Sequence, residues 1–330
     1  MTARRLAARH ERWPLKTPFA ISRGVKTAAD VVVVEVAAAG AIGRGECVPY
    51  ARYGETIESV LDQIETARAA VEAGADNDAI TRLMPPGAAR NAVDCALLDL
   101  RSRLERRPVW ALLGLEQPRP AVTAVTISLD TPERMAEAAR RLGDLPLLKV
   151  KVGREDVIAR VAAVRRNAPA ATLIVDPNES WTPELLAELV DPMASLGVSV
   201  IEQPCPAGAD VPVAHPPSLK LCADESCHTE DDLPRLAGMY DMINIKLDKA
   251  GGLTAACRLA DAARTQGFEI MVGCMVATSL SMAPAMMLAG RAVFVDLDGP
   301  LWLASDRDAA LVCEHGRLFP PAPELWGWSA

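Results

Sequence analysis

The alternation of hydrophobic and polar positions changes rhythm near residue 120. Before that point "VVVVEVAAAG" and "AIGRGECVPY" read as adjacent antiparallel strands meeting at a glycine-marked turn. They are followed by "ETIESVLDQIETARAAVEAG" and "AARNAVDCALLDLRSRLERR", in which apolar residues recur at helical spacing. Strands first and helices afterwards predict an α+β module. From about Ala121 the chain turns to repeated units: "AVTAVTI" ending near Ile127, "LLKVKV" to Val152, "TLIVD" to Asp176, "VSVIE" to Glu202, "LKLCAD" to Asp224, "MINIK" to Lys246, "EIMVG" to Gly273 and "AVFVDL" to Leu297. Helical stretches such as "DVIARVAAVRRNA", "PELLAELVDPMASLG" and "LTAACRLADAARTQG" lie between them.

From Lys151 through Asp176, Glu202 and Asp224 to Lys246, the strand ends are 25, 26, 22 and 22 residues apart. Each interval has room for one strand, one helix and two short loops. Eight such units predict an α/β fold of the TIM-barrel kind. A doubly wound open sheet is the alternative, but no GxGxxG follows a first strand.

Composition narrows the function classes. Half of the 330 residues are hydrophobic and 24% are charged, as in a globular protein with a substantial core. A net charge of -8 and a pI near 5.2 argue against nucleic acid and anionic membranes as partners and favour a small-molecule substrate. "MTARRLAARHERW" lacks the apolar region and cleavage site of a signal peptide, so a cytoplasmic location is expected. The stretch nearest to a membrane span, "MVGCMVATSLSMAPAMMLAG", reads as a buried strand followed by a helix. Eight scattered cysteines and four histidines show no zinc spacing and read as free thiols in a reducing compartment.

Candidate chemistry gathers at strand ends. Asp176, Glu202, Asp224 and Lys246 each close an apolar run, the position where barrels assemble active sites. Three convergent carboxylates would repel one another unless a hard cation balanced them, and oxygen ligands suit Mg²⁺, with Mn²⁺ as a substitute. Taken singly, each acid could instead cap a helix or pair with an arginine. Lys149 and Lys151 are two apart on one strand and share a face, so both point inward while Leu148, Val150 and Val152 face the helices. Two neighbouring ammoniums are expected to lower a pKa toward that of a general base. Lys246 lies four strands further round, on the opposite side of anything held between the two. That geometry suits removal of a proton from one face and its return on the other. Lys249 competes for the role but is expected in the following loop. The bland reading of such a lysine is a salt-bridged core cation.

Together these residues resemble the enolase superfamily, in its muconate lactonizing enzyme subgroup: "KVK" (Lys149, Lys151), "VDPNESW" (Asp176), "IEQP" (Glu202), "ADES" (Asp224) and "NIKLDKAGG" (Lys246). "RYGET" and "AARNAVDCALLDL" resemble the N-terminal capping domain of that family. The resemblance implies a modified (β/α)7β barrel, with an α+β cap over 1–118, the barrel over 119–305 and a C-terminal segment over 306–330 returning to the cap. It also implies one Mg²⁺ per subunit on Asp176, Glu202 and Asp224, binding a substrate carboxylate and stabilising the enediolate left when the α-proton is removed. Lys151 and Lys246 would be the two bases, with the epimer served by each left open, and Lys149 would tune pKa and meet the oxyanion.

Substrate identity rests on other positions. "FVDLDGP" sets Asp296 and Asp298 on one face of the eighth strand, which suits a substrate ammonium group. In the family this Asp-x-Asp resembles the signature of dipeptide epimerases. Arg23 in "PFAISRGVKTA" resembles the cap-loop arginine that meets a glutamate side chain, and Lys26 could assist it. Thr126, Met275 and Asn178 fall at positions that face substrate in the family, and each could equally be packing. The resemblance therefore implies epimerisation of a dipeptide, foremost L-Ala-D/L-Glu from muropeptides and cell-wall recycling. Epimerases of hydrophobic or cationic dipeptides, muconate cycloisomerase, o-succinylbenzoate synthase and N-acylamino acid racemase are the alternatives within the subgroup. A homo-oligomer is compatible with the fold, and a barrel that only binds its ligand is the reading from another class.

Overall fold

The computed structural model describes residues 4–327; residues 1–3 and 328–330, the outer ends of the expected cap and C-terminal segment, lie outside the described residues. Strands β1 (Arg5–Ile21), β2 (Gly24–Ala38) and β3 (Ala41–Cys47) form an antiparallel sheet. Its second hairpin turns at Ala39 and Gly40, both at positive φ, as a two-residue turn that follows the strand twist requires. Helices α1 (Ile57–Glu72), α2 (Asn77–Leu83) and α3 (Ala88–Glu105) cover one face. The side chain of Thr56 caps the first of these and exchanges hydrogen bonds reciprocally with Ser59. A side chain at Gly43 would meet the α3 backbone at 2.2 Å and one at Gly45 would meet it at 2.1 Å, so these two glycines let strand and helix pack backbone to backbone.

Eight parallel strands follow in sequence order round one sheet: β5 (Val125–Ile127), β6 (Leu147–Lys151), β7 (Thr172–Asp176), β8 (Val198–Glu202), β9 (Lys220–Ala223), β10 (Met242–Ile245), β11 (Glu269–Gly273) and β12 (Phe294–Asp296). The ring closes where Thr123 bridges Val295, with Ala124 N–H donating to the Val295 carbonyl at 2.8 Å. A small sheet of β4 (Ala121–Val122), β13 (Cys313–Glu314) and β14 (Arg317–Leu318) lies beside it. Every expected strand is present, including the buried strand and helix in "MVGCMVATSLSMAPAMMLAG". Among the described residues no helix is long and apolar enough to cross a membrane, and the eight cysteines are free.

One interval departs from the expected unit. Between β8 and β9 the chain forms no helix at all. The reason lies in its composition: Pro204, Pro206, Pro212, Pro216 and Pro217 remove backbone donors that a helix needs.

Period-two alternation sorts the barrel residues. Leu148, Val150 and Val152 pack outward into the main core, whereas Leu147, Ile174, Val200, Cys222, Met242 and Met271 form a separate apolar floor inside the ring. Two positions further along the same inward faces come Lys149, Asp176, Glu202, Asp224, Asn244 and Gly273. The polar layer thus stands directly on the apolar one at the C-terminal end of the strands.

Candidate active site

Lys149 is the hub of this layer. Its ammonium lies 2.7 Å from Asp296 Oδ2, 2.7 Å from Glu202 Oε2 and 3.2 Å from Asp176 Oδ2. Lys151, directly opposite Asp176 in the strand register, donates to Asp176 Oδ2 at 2.5 Å. Across the ring Lys246 donates to Asp224 Oδ2 at 2.6 Å. Strands β6 and β10, which carry the two lysine sites, are four places apart in an eight-strand order, so they face one another across the mouth.

These pairings act on Lys149 and Lys246 against the cost of burial. Burial does pull the Lys149 ammonium down, but Asp296, Glu202 and Asp176 more than offset it and hold it well above the ordinary lysine value. Lys246 behaves likewise: burial opposes its charge, and Asp224 carries it above the usual range. The nearest neighbours of each ammonium are carboxylates rather than the other lysines, and Coulomb attraction at such distances exceeds the repulsion from further away. Among the acids, burial disfavours every charge. Lys151 and Lys149 nevertheless bring Asp176 below its normal value, and Lys246 and Lys249 do the same for Asp224. In Glu202 burial wins and its carboxyl is pushed up despite Lys149.

The three strand-end carboxylates are fully buried. Among the described residues no three acidic, histidine or cysteine side chains converge as they stand on one metal-sized position, because lysine ammoniums stand between the carboxylates. Two oxygens of the set, Glu202 Oε2 and Asp224 Oδ1, nonetheless accept no hydrogen bond. Each lies 2.7 Å from a lysine ammonium, but out of hydrogen-bonding alignment. Buried acceptors with unmet valence on two of three neighbouring carboxylates, all hard-oxygen donors, fit a Mg²⁺-type ion.

Above them lies a chamber bounded by Lys149, Lys151, Lys246, Thr126, Met275, Asn178, Asp296, Asp298 and Arg23. Asp298 Oδ2 accepts the Thr126 N–H at 2.7 Å, and its carboxyl is pushed up by burial and by neighbouring Asp296. Asp296 leaves Oδ1 without a partner. Asn178 donates its N–H to Asp176 Oδ1 at 2.8 Å, and its own Oδ1 is unpartnered. Asn178 and Glu179 both have positive φ, backbone strain of the kind stored at functional sites. Arg23 reaches down from the β1–β2 turn, but its guanidinium is bound to Glu179, Glu225, Tyr50 and the Asn178 carbonyl.

Comparison with known families decides the ancestry of this arrangement. Residues 132–328 match the enolase C-terminal domain-like family, and residues 3–114 match the mandelate racemase/muconate lactonizing enzyme N-terminal domain. The chain belongs to this family of the enolase superfamily. An L-Ala-D/L-Glu epimerase of Escherichia coli is 47% identical, over 93% of this chain and 97% of that one. An N-acetyl-D-glutamate racemase of a Pseudoalteromonas species is 45% identical over 90% and 95%. A solved enolase family member from Agrobacterium tumefaciens, with homology to dipeptide epimerases and with bound sodium and L-Ala-L-Glu, superposes with a TM-score of 0.95. It is 47% identical over 98% of this chain and 100% of that one. Like these racemases and epimerases, the present member of the family is an isomerase.

Several site residues escaped the sequence reading. Asn244 donates to Glu202 Oε1 at 2.9 Å, and a side chain at Gly273 would meet it at 2.5 Å. It is two residues before Lys246 on one strand, so the same-face rule that paired the lysines could have found it. Lys249 does not lie in an open loop: a one-turn helix, Leu247–Ala250, brings its ammonium within 2.7 Å of Asp224 Oδ1, and it also donates to the carbonyls of Asp224 and Asn244. Glu225 is buried beside Asp224, a position with no periodic signal.

Proposed function

We propose that this enzyme is a Mg²⁺-dependent dipeptide epimerase that inverts the α-carbon of the C-terminal residue, with L-Ala-D/L-Glu as its substrate. The observation that carries this reading is a single chamber entered by Lys151 and Lys246 from opposite strands, with Asp298 on its wall. A neutral lysine on one face takes the α-proton while the opposing ammonium delivers one to the other face. After inversion the two side chains have exchanged protonation states, so either epimer can be the starting point. Asp296 and Asp298 would hold the substrate ammonium group, fixing which α-carbon lies between the lysines.

Asp176, Glu202 and Asp224 would hold the metal ion. When bound, it supplies positive charge where negative charge grows on the substrate carboxylate as the C–H bond breaks. Lys149, tied to Asp296 and Glu202, keeps the carboxylate layer compact and places a fixed cation beside the same oxygens. Thr126 and Asn178 orient Asp298 and Asp176 through backbone N–H groups.

A second reading, racemisation of an N-acylated glutamate, is favoured by one observation: Asp296 is already neutralised by Lys149, which weakens it as an ammonium site. Exchange of solvent deuterium at the α-carbon separates the two. With Mg²⁺ in D₂O, L-Ala-L-Glu is expected to exchange much faster than N-acetyl-L-glutamate. The reverse order would establish the second reading, and exchange of neither would overturn both.

A further inference from the structure

One face of helix α3 is fitted to the backbone that follows Lys246. Arg90, Asn91 and Asp94 are all buried there, spaced so that they share that face. Arg90 Nη2 donates to the Ala250 carbonyl at 2.6 Å and its Nε to the Gly251 carbonyl at 3.0 Å, so the guanidinium caps the end of the one-turn helix Leu247–Ala250. Asn91 Nδ2 donates to Asp248 Oδ1 at 2.8 Å, and the N–H of Val48, just past β3, donates to the same oxygen at 3.1 Å. Asp94 Oδ2 accepts the Thr254 N–H at 3.0 Å. Side chains at Gly251 and Gly252, both at positive φ, would meet the Arg90 guanidinium at 2.3 Å and Asp94 at 2.5 Å. The loop therefore lies directly against the cap helix.

Asp248 links this contact to the chemistry. It stands two residues after Lys246, inside a turn whose Lys249 and Ala250 N–H groups both bond to the Lys246 carbonyl at 3.0 Å. Displacing the turn therefore displaces the Lys246 backbone. Burial pushes the Asp248 carboxyl up to about 7, against the hydrogen bonds from Asn91 and Val48 that favour its charge. What the cap needs from it is the acceptor Oδ1. Lys151 is held differently: the Val152 N–H donates to the Asp176 carbonyl at 3.2 Å, and the Gly153 carbonyl accepts Trp181 Nε1–H at 2.8 Å. Both of those partners belong to the barrel.

From this contrast we infer that Asn91 and Asp248 are positioning residues through which cap helix α3 sets the place of Lys246. Proton transfer on the Lys246 face then depends on the cap helix, and transfer on the Lys151 face does not. The inference rests on the epimerase reading above and adds to it how one of the two bases is held.

The test follows α-proton exchange in D₂O with Mg²⁺, and inversion, from L-Ala-L-Glu and from L-Ala-D-Glu, in the full chain and in four variants. Lys246→Ala identifies the epimer whose proton that lysine removes. Asn91→Ala and Asp248→Ala are expected to lower kcat for exchange from that same epimer about 10- to 100-fold with KM little changed, as a base misplaced by about 1 Å would. Exchange from the other epimer should stay near the unmodified rate while inversion slows in both directions, leaving exchange without inversion. Asp248→Asn keeps Oδ1 as an acceptor and should restore the lost direction. Equal loss from both epimers in Asn91→Ala, or loss from neither, overturns the assignment and leaves the epimerase reading intact, as does a loss in Asp248→Asn as deep as in Asp248→Ala. If Asp248→Ala does not fold, Asn91→Ala, which removes only the donor, decides. If the unmodified chain exchanges neither dipeptide, or Lys246→Ala slows both epimers alike, the two-base epimerase reading fails and this inference falls with it.

Discussion

Lys151 and Lys246 each reach one partner carboxylate, at 2.5 and 2.6 Å, from opposite sides of the chamber. If they divide the work by face, Lys151→Ala and Lys246→Ala should each lose about 10²–10⁴-fold in exchange from one epimer and far less from the other. Exchange followed separately from L-Ala-L-Glu and L-Ala-D-Glu reads this directly, and equal residual rates in both directions would sink the two-base assignment. Asp298 offers a second residue-scale prediction. Asp298→Asn keeps an acceptor for the Thr126 N–H but removes the charge, so KM for L-Ala-L-Glu should rise about tenfold or more, while turnover of any N-acyl substrate is spared. The lysines were legible because two inward positions on one strand are two residues apart. Arg23 was legible as a cation of the cap turn but not as a saturated one, since Glu179 and Glu225 reach it from more than 150 residues away.

Among the elements, β3 and the loop after β11 show how the N-terminal layer is joined to the barrel. Glu46, fully buried on β3, accepts the Thr278 N–H at 2.9 Å and the Thr278 hydroxyl at 2.5 Å, and pairs with Arg307 at 2.5 Å. Thr278 follows the "GCMVA" segment that contributes Met275 to the chamber wall. Glu46→Ala leaves Arg307 short of a partner and two buried donors unmet, so it should cost roughly 3 kcal/mol, seen as a lower urea midpoint. Gly43→Ala should also destabilise, by about 1–3 kcal/mol, because its methyl group would collide with the α3 backbone at Ala96 and Leu100. Strand positions were readable from alternation alone. The missing helix between β8 and β9 is encoded in its five prolines, although the interval is long enough to hold one.

At the scale of the whole molecule, six of the eight barrel strands end at or next to a charged residue and bring separate parts of the chain to one layer, and the acids of that layer are paired with lysines. A divalent ion taken up there binds only the folded chain. Mg²⁺ at about 100 times its dissociation constant should therefore add about 2.7 kcal/mol of stability. Thermal unfolding with Mg²⁺ and with a chelator measures this independently of turnover. No difference between the two would remove Asp176, Glu202 and Asp224 as a metal site, whereas loss of exchange in chelator and its return with Mg²⁺ would support them.

What the chain alone determined was periodic: strand order, inward faces and the acids and lysines at strand ends all follow from the two-residue repeat and the regular interval between units. Tertiary structure decided the charge state of those groups. Burial alone would discharge Lys149, and Asp296, Glu202 and Asp176, residues up to 147 positions away, hold it ionised. Coulomb energy depends on distance in space and on what has been desolvated, and neither is periodic along a sequence.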